Sequence, residues 1–159
     1  MKALKAAPTS WMSQNYEVTQ DGNAFARLGF GGWKTVGSIS VDGKDYQVVK
    51  PSILGSVLEL QCGGERLSET SIHGVLHQSA ELSFGGVLYG VTWGTMSENA
   101  ILTCAGTEVG TIDQTHILKR IVEAEFADNI PSALCTFALW LVIHKRNNDA
   151  TAATVIAVT

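Results

Sequence analysis

This chain has no excess of positive charge. Lys and Arg number 11 against 15 acidic residues, for a net charge of -4, so no global positive field exists to hold nucleic acid or an anionic membrane. Any such contact must be local. Cysteine is sparse as well: Cys62, Cys104 and Cys135 are odd in number, widely spaced and form no C-x-x-C pair. That argues against a disulfide framework or a zinc site and leaves three small apolar core groups.

A membrane-length apolar run is missing too. The longest run, Ile130 to Ile143, contains Pro131 and Thr136 and falls short of the ~20 residues that cross a bilayer. It reads as a buried core helix, not a transmembrane one. No continuous apolar stretch follows Lys2 and Lys5, so the N-terminus does not read as a secretory signal, and the expected location is the cytoplasm.

Catalytic signatures are equally scarce. There is no G-x-S-x-G elbow and no D-x-[DN]-x-[DN]-G calcium loop, and no cysteine has a base partner within its own segment. Gly29-Phe30-Gly31-Gly32-Trp33 has Lys34 where a dinucleotide fingerprint needs a third glycine, and a strand follows where a helix is required, so it reads as a turn. His73 and His77 have the spacing of two ligands on one helical face, but Gly74 and the strand-like surroundings oppose a helix and no third ligand is near. Glu123, Glu125 and Asp128 offer carboxylates, although alternate charges late in a β-run are ordinarily its solvated face. No catalytic residue, metal or cofactor is expected.

What the chain does have is rhythm. Short runs rich in β-branched and aromatic residues alternate with Gly, Asn and Asp from Asn15 to about Ala124, the pattern of antiparallel β structure. The runs are 16–19, 24–28, 36–41, 44–49, 57–62, 66–72, 80–84, 87–93, 100–104, 108–112 and 117–126. Asp42-Gly43 is the strongest hairpin signal, placing Ile39 and Val41 on one face and Tyr46 and Val48 on one face of the partner. Further turns are expected at Asp21-Gly22-Asn23, Gly63-Gly64, Gly85-Gly86, Glu98-Asn99 and Ala105-Gly106. Leu28 to Gly32 and Leu82 to Gly86 resemble each other, as repeated hairpin geometry or an old duplication would produce.

The pattern changes at Asp128. Asp128 or Asn129 can cap a helix, Pro131 suits its first turn, and Lys145 and Arg146 suit its negative end. Leu134, Phe137, Ala138, Leu141 and Val142 make one apolar stripe, while Ala133, Leu139, Trp140 and Ile143 occupy the other side. Such a helix has no face for water and has to be surrounded. The expectation is therefore one domain over 1–159, mainly β: an antiparallel β-barrel of about ten to twelve short strands enclosing one C-terminal hydrophobic α-helix. The strands fall at about 14–126 and the helix at about 131–146, and Val155 to Val158 in the tail 150–159 offers one more strand.

A tyrosine in the first strand, V-D-G-K-D-Y at Val41 to Tyr46, G-T-E-V-G-T-I at Gly106 to Ile112 and a final apolar helix together resemble the tubby C-terminal-like superfamily. Within it the chain is most similar to the LURP-one-related proteins and the phospholipid scramblases, over about Gln14 to Arg146. The resemblance implies a closed antiparallel barrel threaded by its helix and, in some relatives, binding of phosphoinositides or other anionic lipids. Tubby domains use basic residues on neighbouring strands. Outside the termini and the helix this chain offers only Arg27, Lys34, Lys44, Lys50, Arg66, Lys119 and Arg120, and it lacks the acidic calcium segment of scramblase-like proteins.

Among these, Lys119-Arg120 is the densest basic pair, expected on opposite faces of a strand unless a bulge intervenes. Trp33 beside Lys34 can stack on a ligand ring or cover a barrel end. Trp33, Lys34, Lys119 and Arg120 are thus the candidate anion- or ligand-binding residues. The reading that follows is a non-enzymatic binding or scaffold domain in the cytoplasm, peripheral to the membrane, recognising an anionic phospholipid or a protein partner. The alternative is a small-ligand or catalytic barrel using loops at one end, such as Gly29 to Trp33 and Phe84 to Val87. In a third reading, the apolar run anchors the chain in a membrane.

Overall fold

In a computed structural model, the chain forms twelve β-strands followed by one helix. The structure describes residues 1–52, 55–73, 78–94, 99–116 and 120–158, with backbone alone for 73, 115, 116 and 149–158. The strands are β1 (Lys2–Pro8), β2 (Tyr16–Gln20), β3 (Asn23–Phe30), β4 (Thr35–Val41), β5 (Lys44–Val49), β6 (Val57–Cys62), β7 (Glu65–His73), β8 (Ser79–Phe84), β9 (Val87–Trp93), β10 (Ala100–Cys104), β11 (Thr107–His116) and β12 (Ile121–Phe126). Each pairs antiparallel with its neighbours in sequence, and β1 closes the barrel by pairing with both β2 and β12.

Because neighbouring strands run in opposite directions, their connections alternate between the two ends of the barrel. The two ends are unlike. At one, the connections are Asp21-Gly22, Asp42-Gly43, Gly63-Gly64, Gly85-Gly86 and Ala105-Gly106, all with positive φ at both residues. That is the type I′ geometry, whose twist matches the flanking strands. At the other end, the wider connections 9–15, 31–34, 50–56, 74–78, 94–99 and 117–120 join the strands.

Strand β1 was not expected from the sequence. Its Lys-Ala-Leu-Lys-Ala-Ala segment has little strand preference, but Leu4 and Ala6 point inward and are buried. Pairing on both edges with β2 and β12 overrides local propensity. The expected strand 117–126 starts later. Arg120 adopts φ 56° in a turn and β12 starts at Ile121, while 117–119 lie outside the described residues.

The helix α1 (Ser132–Val158) enters from the turn end. Pro131 provides the first carbonyl, accepting from Leu134 N and Cys135 N at 3.0 Å. Asp128 pairs with the N-terminal amine at 3.0 Å. The helix does not stop at Lys145 and Arg146. It continues to Val158, because the Ala-rich segment beyond them contains no Gly or Pro, and no thirteenth strand forms from Val155 to Val158.

Every side chain from Leu134 to Ile143 is fully buried. The wall supplies the complementary apolar surface through alternate residues, for example Ile39 opposite Tyr46 and Gly37 opposite Val48. Thr136, the polar residue in this stretch, returns its hydroxyl to the carbonyls of Ser132 and Ala133 at 2.9 and 3.0 Å. The run is therefore the filling of the barrel and not an anchor. Among the described residues, no helix is long and apolar enough to cross a membrane.

Helix and wall meet most closely at Trp140. Its indole lies where a Cβ on Gly37 would stand, stacks on Phe30 at 5.2 Å and donates from Nε1 to the Gly29 carbonyl at 2.9 Å. Gly37→Ala is expected to destabilise the fold by about 1–3 kcal/mol through overpacking, and Trp140→Phe should recover part of that loss. Denaturant unfolding of both single variants and the double variant measures the coupling. Deleting 128–159 should give an unfolded or aggregated product, since roughly nine large apolar side chains lose burial worth about 1.5–3 kcal/mol each. A soluble, cooperatively unfolding truncated barrel would contradict this account.

Candidate functional site at the loop end of the barrel

Leaving the barrel, the helix changes character within one turn. Ile143 is fully buried, whereas His144, Lys145, Arg146 and Asn147 are only partly buried. The step from apolar to polar marks where α1 passes between the loops. His144, Asn147 and Asn148 lie three or four residues apart, on the same helical face as Trp140. They line a cavity of about 410 Å³ together with Tyr16, Arg120 and the backbone of Gly31 and Gly32.

The floor of this region is aromatic. Tyr16 meets Phe30 edge-on at 5.6 Å, Phe30 stacks on Trp140 at 5.2 Å, and Trp140 stacks on His144 at 4.6 Å. Such contacts add roughly 0.5–1.5 kcal/mol each beyond the area they bury. They fix the position of Tyr16, and Tyr16 gathers two guanidinium groups. Arg146 Nη2 donates to its hydroxyl at 3.0 Å, and Arg120 lies over its ring with Cζ 5.7 Å from the centroid.

Arg120 also organises a loop. Its Nη2 donates to the carbonyls of Ser10, Trp11 and Ser13 at 3.3, 3.0 and 2.9 Å. The positive φ of Arg120 is what turns its side chain toward 9–15 instead of placing it in a strand. Arg146 is less well satisfied: its Nη1 is buried and has no hydrogen-bond partner. An unmet charged donor of this kind costs about 1–3 kcal/mol or more. Among the described residues, no carboxylate forms an ion pair with Arg120 or Arg146.

Of the residues expected to bind a ligand, Trp33 and Lys34 stand in the loop 31–34 at this same end. Both are exposed, Trp33 at 75%, so Trp33 projects outward and does not cover the barrel. The Lys34 carbonyl accepts from Lys50 N at 2.9 Å, tying the two loops together. Arg120 lines the cavity, and Lys119 lies outside the described residues. The pairing of Lys119 and Arg120 on opposite faces of a strand does not hold, because Arg120 belongs to a turn.

The loops Gly29 to Trp33 and Phe84 to Val87 do not share a barrel end. Gly85-Gly86 is a type I′ turn, whereas Gly31 and Gly32, at φ 103° and 129°, open the wider connection at the opposite end. Their likeness is therefore not repeated hairpin geometry. Of the turn expected at Glu98-Asn99, Asn99 immediately precedes β10 and Glu98 lies outside the described residues.

Sequence reading missed Arg146, Tyr16, His144 and the exposed Trp11 and Met12. Trp11 is 84% and Met12 73% exposed in the loop 9–15. The available signal was the order of polar residues after the apolar helix run. Elsewhere, Arg66 is held on the outer wall by Glu59 and Glu69 at 3.6 and 2.8 Å. Lys44 stands at the turn end beside Asp42 and Asp45.

Nucleophile chemistry gains no support from the described geometry. Burial pushes the Cys135 thiol up to about 11, so it is protonated at neutral pH. It lies about 13 Å along the helix axis from His144. Glu123 and Glu125 are exposed on the outer wall. The side chain of His73 and all of His77 fall outside the described residues, and among the described residues no three metal-ligating side chains converge.

The chain matches no family model, and neither a curated protein nor a solved structure is matched by it.

Burial, and secondarily the charge of Lys50, holds His144 below the ordinary imidazole range. A group whose folded pKa is depressed binds its proton first in the unfolded chain. Stability is therefore expected to fall as pH drops from about 6.5 through the folded pKa. Thermal unfolding across this range should show a flatter acid limb for His144→Gln than for the parent.

Proposed function

We propose that the chain is a non-enzymatic binding domain that docks the loop end of its barrel on an anionic lipid surface, from the cytoplasmic side. The observation that carries this reading is the segregation of side chains between the two ends. Trp11, Met12 and Trp33 are exposed on the loops, among Lys34, Lys50, Arg120, Lys145 and Arg146 on adjoining loops and the emerging helix. The turn end carries Asp21, Asp42, Asp45, Glu65, Glu108 and Asp128, which outnumber its Lys2, Lys44 and Arg66.

Tryptophan is the side chain that best fits the boundary between headgroups and acyl chains, and basic residues near an anionic surface each contribute about 1 kcal/mol. A net charge of -4 does not oppose such docking when the acidic residues face away, because potentials fall off within a Debye length of about 8 Å in physiological salt. The resemblance to the tubby-like superfamily proposes the same ligand class. With a protein partner instead of lipid, the same surface would bind without vesicles.

Sedimentation with phosphatidylcholine vesicles, with and without phosphatidylglycerol, phosphoinositide or cardiolipin, tests the reading at physiological salt. The parent should bind the anionic vesicles and leave the neutral ones. Lys34→Gln should weaken binding roughly five-fold, and replacing Trp11 and Trp33 together by Ala should abolish the blue shift of tryptophan emission on binding. Absence of binding to every anionic composition would overturn it.

A further inference from the structure

We propose that residues 149–158, the part of α1 beyond the barrel, lie obliquely in the headgroup layer of the membrane. The barrel then docks inclined, toward the sector of its rim that carries Trp11 and Trp33. The proposal rests on the membrane-docking reading and adds to it a second contacting element and an orientation. The backbone of α1 does not end where the barrel does. Ile143 is fully buried and Asn148 exposed, yet the helix runs on to Val158, about 15 Å farther at ~1.5 Å per residue. Asp149 is the only charge in this stretch, and Ala150 to Val158 are Ala, Val and Ile with Thr151 and Thr154 between them. A helix that leaves a protein for water ordinarily carries charged residues on its exposed side. Here the cations Lys145 and Arg146 sit at the rim and the apolar residues follow.

The orientation follows from two placements. Among the described residues, the large apolar side chains exposed on the loop-end connections are Trp11, Met12 and Trp33. They stand on 9–15 and 31–34, all within the arc from β1 to β4, so the rim is one-sided. The helix presents a definite face to that arc, because His144, Asn147 and Asn148 line one cavity with Gln14, Gly31 and Gly32. At 3.6 residues per turn the face of His144 and Asn148 continues through Thr151, Val155 and Val158, whereas Asp149 and Ala153 fall on the far side. A flat surface that touches both the projecting helix and one arc of the rim has to be inclined to the barrel axis.

The depth is limited by the backbone. The last carbonyls of a helix have no partner within it, and hydrocarbon supplies none. At about 15 Å the segment spans half of a hydrocarbon core of about 30 Å, so an upright helix would leave those carbonyls near the bilayer centre. Lying obliquely, it keeps them among headgroups and water and sinks one face about 5–10 Å, to the level that suits tryptophan. Lys34, on the same arc as Trp33, is placed to meet anionic headgroups.

Vesicles of phosphatidylcholine and phosphatidylglycerol at physiological salt test the inference through two readouts. Hydrogen exchange followed by mass spectrometry should show the amides of 149–158 slowed roughly ten-fold or more when vesicles are added. In sedimentation, Val155→Asp should weaken binding roughly ten-fold, a fraction of what an acidic residue costs at mid-membrane, while Ala153→Asp should leave it within about two-fold. Both variants change the net charge equally, so their difference reports position. Thermal unfolding of the barrel should be the same for both variants and the parent, since the two positions lie beyond it. Sedimentation velocity without vesicles should find the same mass for all three.

Vesicle binding by the parent with unchanged exchange at 149–158 overturns the inference and leaves membrane docking intact. Equal weakening by the two variants overturns the inclined orientation. A vesicle-independent dimer that Val155→Asp dissolves overturns the inference in favour of a second copy of the chain on this segment. Absence of binding to any anionic vesicle overturns the docking reading and the inference together.

Discussion

The constraint on which the rest of the structure depends is that a helix without a polar face has to be enclosed. Leu134 to Ile143 are fully buried on all sides, and a sheet packed on one side cannot achieve that. Closing twelve strands around the helix satisfies its apolar surface and removes the sheet edges at the same time. The dependence is mutual, since the lumen of a twelve-stranded barrel left empty would expose the inward residues of every strand. Barrel and helix are therefore one cooperative unit. The contact of Trp140 with Phe30, Gly29 and Gly37 is where their relative position is set.

Enclosure also divides the molecule into two ends with different capacities. A two-residue type I′ turn requires positive φ at both positions and so admits mainly Gly, Asp and Asn. Asp21-Gly22, Asp42-Gly43, Gly63-Gly64 and Gly85-Gly86 follow this rule, and Ala105 is the exception at φ 50°. Such turns are short, acidic or bare, and have little reach. The wider connections at the other end can carry tryptophan, methionine and lysine into solvent. Binding capacity therefore resides where the hairpin rule does not apply.

Much of this was legible in the sequence, and the parts that were not share a cause. Asp42-Gly43 and the alternation of Ile39, Val41, Tyr46 and Val48 announced a hairpin, because turn chemistry and side-chain period are local. The apolar helix announced its own burial for the same reason. Lys2–Pro8 was silent as a strand, since its stability comes from β2 and β12, which are distant in sequence. Arg146 was read as a helix terminus because cations usually mark one. Here it marks the rim of the barrel, a boundary defined by the wall and not by the helix. Gly31-Gly32 and Gly85-Gly86 look alike as dipeptides, yet odd and even connections of a closed meander belong to opposite ends.

The same geometry ties the candidate site to the core. A helix fixed at one residue is fixed in rotation along its length, and at 3.6 residues per turn the face that carries Trp140 carries His144, Asn147 and Asn148 after it. Arg146 is set off from that face toward Tyr16, and Lys145 toward Trp93, whose ring its ammonium approaches at 5.6 Å. Packing Trp140 against Gly37 therefore does more than fill space. It determines which polar side chains meet the loops, which line the cavity and which guanidinium reaches Tyr16. A change in the core contact that rotated the helix by one residue, about 100°, would replace the helix-borne residues that line the cavity without altering a single loop. The chemistry available at the loop end is consequently specified from inside the barrel, by an aromatic contact that no ligand touches.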